Sequence, residues 1–416
     1  MSTRSAARTF VIAGAGLAGA KAAQTLREDG FDGRVILLGA EHERPYERPP
    51  LSKDYLRGEA GRDKVYVHDE GFYGAHDIEL RTGAAVESLD ATSREVHIAG
   101  GERLRYDRLL LATGARPRRL DLPGARLEGI HELRTIGDAD ALRDRLRAAE
   151  RIVVIGAGWI GCEVAASARQ MGLEVDVVEP LSVPLERVLG RKVGGVFADI
   201  HADHGVRMHL GLGVGGFEGT DRVRAVRTAD GESIACDLVV VGVGVSPRME
   251  IAQRAGIEVA DGIVVDEHLQ TSVPDVFAAG DVAGAYHPLL RRSIRVEHWA
   301  NALNQGPVAA RNMLGEQVAY DRIPYFFSDQ YDVGMEYSGH AGQDDEVVLR
   351  GDPRAREFIA FWLRAGVVRA GMNVNVWDVT EAIQALIRSC APVDRARLAD
   401  PAVPLADLLP APAREP

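Results

Sequence analysis

Two glycine runs have the spacing that lets backbone, rather than side chains, hold a ligand. They are Gly14-Ala-Gly16-Leu-Ala-Gly19 and Gly156-Ala-Gly158-Trp-Ile-Gly161. In each, the first glycine permits a tight turn and the second lets backbone approach a diphosphate with no Cβ in the way. The third lets a helix pack closely on the preceding strand. A diphosphate there faces unpaired N–H groups at the positive end of a helix dipole. The bland alternative is a glycine-rich turn without a ligand. Roughly twenty residues past the second run stands Glu179, where a carboxylate accepts from a ribose 2′-OH and repels a 2′-phosphate. Pro-Leu-Ser-Val follows it, and Arg187 comes only later. This favours NADH over NADPH, unless Glu179 merely ends a strand.

The flanking elements give these runs their meaning. Thr9–Ala13 is a short apolar run read as a buried strand, 20–26 has a helical pattern, and Arg34–Leu38 is a second strand. Arg151–Ile155, its glycines and Glu174–Glu179 repeat that grammar after a helix at 137–149. Between them, Pro45, Pro49 and Pro50 pin a loop at 43–53, and Ser52 is expected to start a helix. Residues 65–105 read as short strands and turns. Residues 106–114 read as a buried strand ending in Ala112-Thr-Gly114. Pro117 and Pro123 mark a crossing between domains. A hairpin-like region at 207–234 precedes a buried parallel strand at 238–244. The apolar stretch after Thr271 ends in Gly280-Asp281, which puts a carboxylate at a strand's C-terminal edge, where open α/β sheets hold ligands. From Pro324 the pattern changes to strands at 347–349, 358–363 and 367–370 and a helix at 379–389, a third, α+β domain.

The chain of 416 residues exceeds one compact core, so two or three domains are expected. A net charge of −12 argues against nucleic acid as the main partner. Three cysteines, Cys162, Cys236 and Cys390, with no CxxC, suit a reducing cytosol and offer no disulfide framework. The first ten residues lack the separate apolar core of a signal peptide, and no run is long enough to span a bilayer. The Pro/Ala-rich tail, 401–416, is expected to fray.

Taken together, RPYERPPLSK, GAGWIGCE, AAGD, VEHWANALNQG and FFSDQYD make the chain resemble, over residues 8–390, the FAD-dependent, NADH-using ferredoxin reductases that serve bacterial oxygenases. The resemblance implies an α/β fold with two Rossmann-like dinucleotide-binding domains in a glutathione-reductase-like arrangement, plus a C-terminal α+β domain. The implied boundaries are 1–115 with 246–323 for FAD, 116–245 for NAD and 324–416 for the last domain. Gly14, Gly16 and Ala18, with Gly19, would line the FAD diphosphate. Arg48, Pro49 and Lys53 would touch the adenine side or the isoalloxazine, and Val86 the adenine. Arg134 would lie in the diphosphate region, Asp281 at the ribityl chain and Trp299 at the flavin's pyrimidine end. Ala112, Gly114, Gly280, Glu297 and His298 belong to the same cofactor motifs. Gly156, Gly158, Ile160, Gly161, Glu179, Arg187 and Gly244 would serve NADH. Where similar proteins carry an acid, this chain has Ala40, so Glu41 must serve the FAD ribose. Phe327 replaces a common tryptophan, keeping an aromatic face without its N–H.

The flavin would carry the redox step, with hydride arriving from the nicotinamide. Trp159 would lie over the flavin until nicotinamide displaces it, or simply pack. A Lys53–Glu163 pair would stabilise the reduced flavin's negative charge, unless the two are unrelated surface charges. The loop at 39–58 has no cysteine, so electrons have no thiol to reduce. They should leave singly to a 2Fe–2S ferredoxin, docked at Arg291, Arg292 and Arg295. The remaining expectations are a cytoplasmic protein, monomer or weak homodimer, with no membrane or nucleic-acid partner. The alternatives are an NADH oxidase or monodehydroascorbate-type reductase, or a redox-sensing flavoprotein like the apoptosis-inducing factors.

Overall fold

An apolar run becomes the centre of a parallel sheet when it can be buried on both faces. The two such runs that precede the glycine turns do this in separate halves of the molecule. The computed structural model describes residues 8–410, so the readings for 1–7 and 411–416 lie outside the described residues. The chain divides into two units. The first takes the residues up to Arg48 with Arg62–Arg116 and Val245–Arg322; the second takes Pro49–Gly61, Pro117–Gly244 and everything from Ile323 on.

In the first unit, Thr9–Ala13 lies between Arg34–Leu38 and Arg108–Leu111. Ile78–Arg81 and Val276–Ala278 complete a five-stranded, wholly parallel sheet. Val11, Ile12, Leu37 and Leu110 are fully buried. The helical pattern at 20–26 is the middle of a longer helix, Leu17–Glu28. It packs on Trp299–Leu314 so closely that a Cβ on Gly306 would lie 2.3 Å from the carbonyl oxygen of Ala18. Three-stranded (Val86–Asp90, Glu95–Ile98, Arg103–Arg105) and four-stranded sheets (Val259–Ala260, Gly262–Val265, Ala283–His287, Arg292–Arg295) fill out the unit.

In the second unit, Arg151–Ile155 pairs in parallel with Glu174–Glu179 and Leu238–Val241. The expected hairpin at 207–234 is corrected here. Arg207–Leu210 is the parallel edge strand beside Glu174–Glu179, where Arg207 bonds Asp176. The antiparallel meander begins only at Val214–Gly219. The expected Ser52 helix start is also corrected. Pro49–Ser52 forms a 3₁₀ turn, and the short helix Asp54–Arg57 follows with Lys53, not Ser52, at its N-cap. The Ser52 hydroxyl is spent elsewhere, as described below.

The C-terminal part of this unit is a five-stranded antiparallel sheet ordered Tyr325–Gln330, Val333–Gly339, Val367–Val374, Glu357–Arg364, Glu346–Asp352. The helix Thr380–Ser389 lays Ile383, Leu386 and Ile387 on it. Residues 401–410 do not fray. Arg350 donates to the carbonyls of Asp400 and Val403, and Leu405 and Leu408 are buried. Among the described residues no helix is long and apolar enough to cross a membrane.

The contact at Gly306 gives a stability prediction. Gly306→Ala should lower unfolding free energy by about 1–3 kcal/mol, because the added methyl forces two helices apart. Denaturant unfolding of the two proteins measures it, and an unchanged midpoint would contradict this packing.

Candidate functional site

The first glycine turn, in the first unit, is built on clashes that only glycine avoids. Gly14 sits at φ +128°, and a Cβ there would lie 2.0 Å from the Ala112 oxygen. A Cβ on Gly19 would lie 2.0 Å from the oxygen of Gly14. Gly16 differs: its missing Cβ faces open space, with only the Arg48 guanidinium, 3.5 Å away, in reach. Gly16 is also the N-cap of Leu17–Glu28, with no side chain bonding the helix's first N–H groups. Arg48 thus stands over an uncapped helix start with its Nη2 3.6 Å from Glu41, whose other oxygen accepts from Tyr46. A cation, free backbone donors and an absent Cβ fit an FAD diphosphate, and Glu41 fits the carboxylate that exposed Ala40 lacks.

The neighbouring motifs close on the same helix. Gly114 has φ +67°. Gly280 has φ +78°, and a Cβ there would lie 3.2 Å from that of Ala18; its N–H donates to Gln305. Asp281 follows, half-buried. His298 is the N-cap of Trp299–Leu314, again with no side-chain cap. Glu297 pairs with Arg295. Val86 is half-buried at the start of its strand. Arg134 lies in the second unit, its backbone N–H on Asp138.

The second turn, in the second unit, repeats the first. Gly156 has φ +94° and would carry a Cβ 2.6 Å from the oxygen of Gly242; on Gly161 the Cβ would be 1.9 Å from the oxygen of Gly156. Around the position of a Cβ on Gly158 nothing lies within 4 Å, and this uncapped residue begins the helix Trp159–Gln170. By contrast, Ile136–Leu146 in the same unit carries a full capping box, Thr135 with Asp138. Uncapped starts also occur elsewhere, at Leu185 and His298 among others, so what marks the two glycine turns is the open space around Gly16 and Gly158. Glu179 hooks back onto the turn, accepting from Ala157 N–H at 2.7 Å and from Leu181 N–H at 2.9 Å. Ile160 is 43% exposed beside this helix start, Gly244 has φ +92°, and Arg187 is exposed. Trp159 packs edge-to-face on Phe326 and Phe197 with its indole N–H unbonded. Within its unit these neighbours supply the packing role.

Lys53 and Glu163 do meet. Their charged atoms are 2.9 Å apart, and both side chains are buried. The carboxylate is shared: Ser328 donates to one oxygen at 2.7 Å and Ser52 to the other. Ser52 is itself anchored through its carbonyl by Ser167. Lys53 also donates to Pro49 O at 3.3 Å and stands 5.7 Å from the Phe327 ring. Asp329, on the same strand, is held above the usual carboxylate range by burial, reinforced by Glu163 and Asp54 and opposed by Lys53. Sequence reasoning named Lys53 and Glu163 but missed Ser52, Ser328, Gln330 and His201. The quoted FFSDQYD motif contained two of these four.

The thiols lie outside this chemistry. Cys162 is buried, its sulfur on Ala157 O, and burial pushes its thiol far up. Burial likewise pushes Cys236 up to about 12. Among the described residues no disulfide forms and no cluster could hold a metal ion.

Comparison with known proteins fits this geometry. Residues 8–306 match the family described as pyridine nucleotide-disulphide oxidoreductase, and residues 325–409 match the reductase C-terminal family. The ferredoxin–NAD(+) reductase component of an anthranilate 1,2-dioxygenase system from Burkholderia cepacia is 39% identical, over 96% of this chain and 99% of that protein. The ferredoxin reductase of the CYP199A2 system from Rhodopseudomonas palustris superposes with a TM-score of 0.93 at 39% identity, covering 96% and 99% of the two chains. The reductase chain of a covalent putidaredoxin reductase–putidaredoxin complex gives 0.93 at 36% identity, covering 97% and 98%.

Two histidines set an acid limit. His201 in the second unit and His68 in the first are each pushed by burial from an ordinary 6.5 down to about 4. The unfolded chain therefore binds these protons before the folded one does. Their contribution to stability is complete above pH 6.5 and is lost as pH falls toward 4. Thermal unfolding measured from pH 7 to 4.5 should show a falling midpoint, and His201→Gln should flatten part of that slope. An equal slope in the variant would show His201 charges freely.

Proposed function

Because the chain belongs to the pyridine nucleotide-disulphide oxidoreductase family and carries a reductase C-terminal domain, we propose that it is an NADH-dependent flavoprotein reductase. It delivers electrons to a 2Fe–2S ferredoxin serving a P450 or Rieske-type oxygenase. The bound FAD supplies hydride acceptance from NADH and one-electron release. We assign residues 1–115 and 246–323 to FAD, 116–245 to NADH, and 324–416 to the C-terminal reductase domain.

The chain's own residues then divide the work. Gly14, Gly16, Ala18 and Arg48 bind the FAD diphosphate through backbone donors and one cation. Glu41 takes the ribose and Asp281 the ribityl chain, while Trp299 borders the pyrimidine end. Gly158 and Ile160 receive NADH, and Glu179 disfavours a 2′-phosphate. Lys53, oriented by Glu163, holds the negative charge that reduction places on the flavin.

One observation carries the reading: the chain has two nucleotide cradles and no thiol in the loop at 39–58. A disulfide reductase on this scaffold needs cysteines there. For docking we assign Arg291 and Arg292, both exposed. Arg295 drops out of that patch, because it is buried and committed to Asp261 and Glu297.

Purified protein should be yellow and should turn over NADH faster than NADPH, with 2Fe–2S ferredoxins as preferred acceptors over oxygen. A colourless protein that flavin cannot reconstitute would overturn the proposal. Charge reversal at Arg292 should raise the KM for an acidic ferredoxin several-fold and weaken its salt dependence. It should leave NADH oxidation by an artificial acceptor unchanged. Loss of both activities would place Arg292 outside docking.

A further inference from the structure

The hydroxyl that binds Glu163 is itself held by a line of hydrogen bonds that ends at a buried histidine. The Ser328 Oγ accepts from Gln330 Nε2 at 3.2 Å, and Gln330 Oε1 lies 3.0 Å from His201 Nε2. On the far side, His201 Nδ1 lies 3.0 Å from the Tyr331 hydroxyl. Ser328, Gln330 and His201 are all buried, and all belong to the second unit.

The chemistry of each group fixes the direction of each bond. An amide oxygen only accepts, so His201 must donate from Nε2. With His201 neutral, Nδ1 is then the acceptor, and Tyr331 donates to it. With its oxygen taken, Gln330 presents its NH₂ to Ser328. A serine hydroxyl has one proton. Because Ser328 accepts from Gln330, it keeps that proton for Glu163 Oε1. Every donor in the line therefore points toward the carboxylate.

Backbone strain marks the far end independently. Tyr331 has φ +57°, in the left-handed region a bulky residue rarely enters. That conformation puts its ring on His204, with centroids 3.7 Å apart, and its hydroxyl on His201. Strain of this kind persists where surrounding structure holds it in place.

We infer that His201 and Gln330 are positioning residues for the reductase reaction, fixing the Ser328 proton on Glu163 so that its carboxylate stays aimed at Lys53. This rests on the reading that Lys53 serves the flavin. The charged and titratable groups facing Glu163 are Lys53, Asp329 and Cys162; those facing His201 are His204 and Tyr331.

The test uses the full-length holoprotein with three variants. His201→Leu removes both ring bonds, Ser328→Ala removes the donor, and His201→Gln keeps an N–H toward Gln330. The Glu163 carboxyl carbon is followed by ¹³C NMR against pH, assigned by its loss in Glu163→Gln. The flavin midpoint potential is measured over the same pH range. His201→Leu and Ser328→Ala should move the Glu163 carboxyl resonance away from its native position. They should also shift the flavin midpoint potential. His201→Gln should match the native protein in both readouts. If His201→Leu does not fold, Ser328→Ala and His201→Gln still decide the matter. A lowered melting temperature with an unmoved carboxyl resonance would reduce the line to packing and overturn the inference. A moved resonance with an unmoved potential would uphold the line and instead remove Lys53 from the flavin.

Discussion

Taking a lysine and a glutamate out of water together is the constraint that most of the second unit answers to. Desolvating either ion alone costs several kcal/mol, and their attraction repays this only when further hydrogen bonds satisfy the remaining lone pairs. Glu163 and Lys53 meet that condition through Ser52, Ser328 and the carbonyl of Pro49. Those groups come from the proline-pinned loop, the second glycine helix and the first strand of the C-terminal sheet. Loss of one ion would strand the other at about 3–5 kcal/mol. Three distant stretches of chain are thereby bound into one unit by a single polar centre.

This centre also accounts for what the sequence could and could not reveal. Thr9–Ala13 and Arg34–Leu38 are legible to the residue because they are apolar runs ended by glycine, and Glu174–Glu179 because its valines sit at the expected distance after the second glycine run. Tyr325–Gln330 was missed as a strand. Its inward positions are Phe326, Ser328 and Gln330, and two polar residues on a buried face break the alternation that marks a strand. Those two residues belong to the hydrogen-bonded line from Glu163 to His201. The same logic explains Ser52, whose place before a short helix suggests a cap while its hydroxyl serves a carboxylate 111 positions away. Arg207–Leu210 looked like half of a hairpin because nothing local to it announces the parallel neighbour that Asp176 and Arg207 help to register. A pattern within one segment records burial; it does not record a partner in a distant segment.

The glycine turns were legible for the opposite reason, since everything they need is local. The clash of a Gly19 side chain with the Gly14 oxygen, or of Gly161 with Gly156, lies within six residues of chain. The absence of a capping side chain at Gly16 and Gly158 is equally local, and it leaves the first backbone donors of two long helices open. Elsewhere capping is mixed: Thr135 and Asp394 each accept from the third N–H of the helix they start, while Leu185, His298 and Val379 supply no side-chain cap. Bare starts at the two glycine runs alone would be a weak sign. Combined with a guanidinium over one and a carboxylate hooked under the other, they separate the two cradles chemically. The first is suited to an anion beside a cation; the second carries a carboxylate held by two backbone N–H groups.

The placement of the thiols bears on whether sulfur can relay electrons here. A thiol acts as a redox relay only as an accessible thiolate. Cys162 is buried within the second turn with its thiol pushed up by burial and by the nearby Glu163 and Glu179 carboxylates. Cys236 is buried and likewise raised, while Cys390 is exposed at the end of the last long helix, outside the glycine turns and the loop at 39–58. The position that relay cysteines take on this scaffold is filled instead by a proline-pinned loop ending in Lys53. A lysine can stabilise charge but cannot accept an electron. Within the loop at 39–58 the chain therefore offers no sulfur relay.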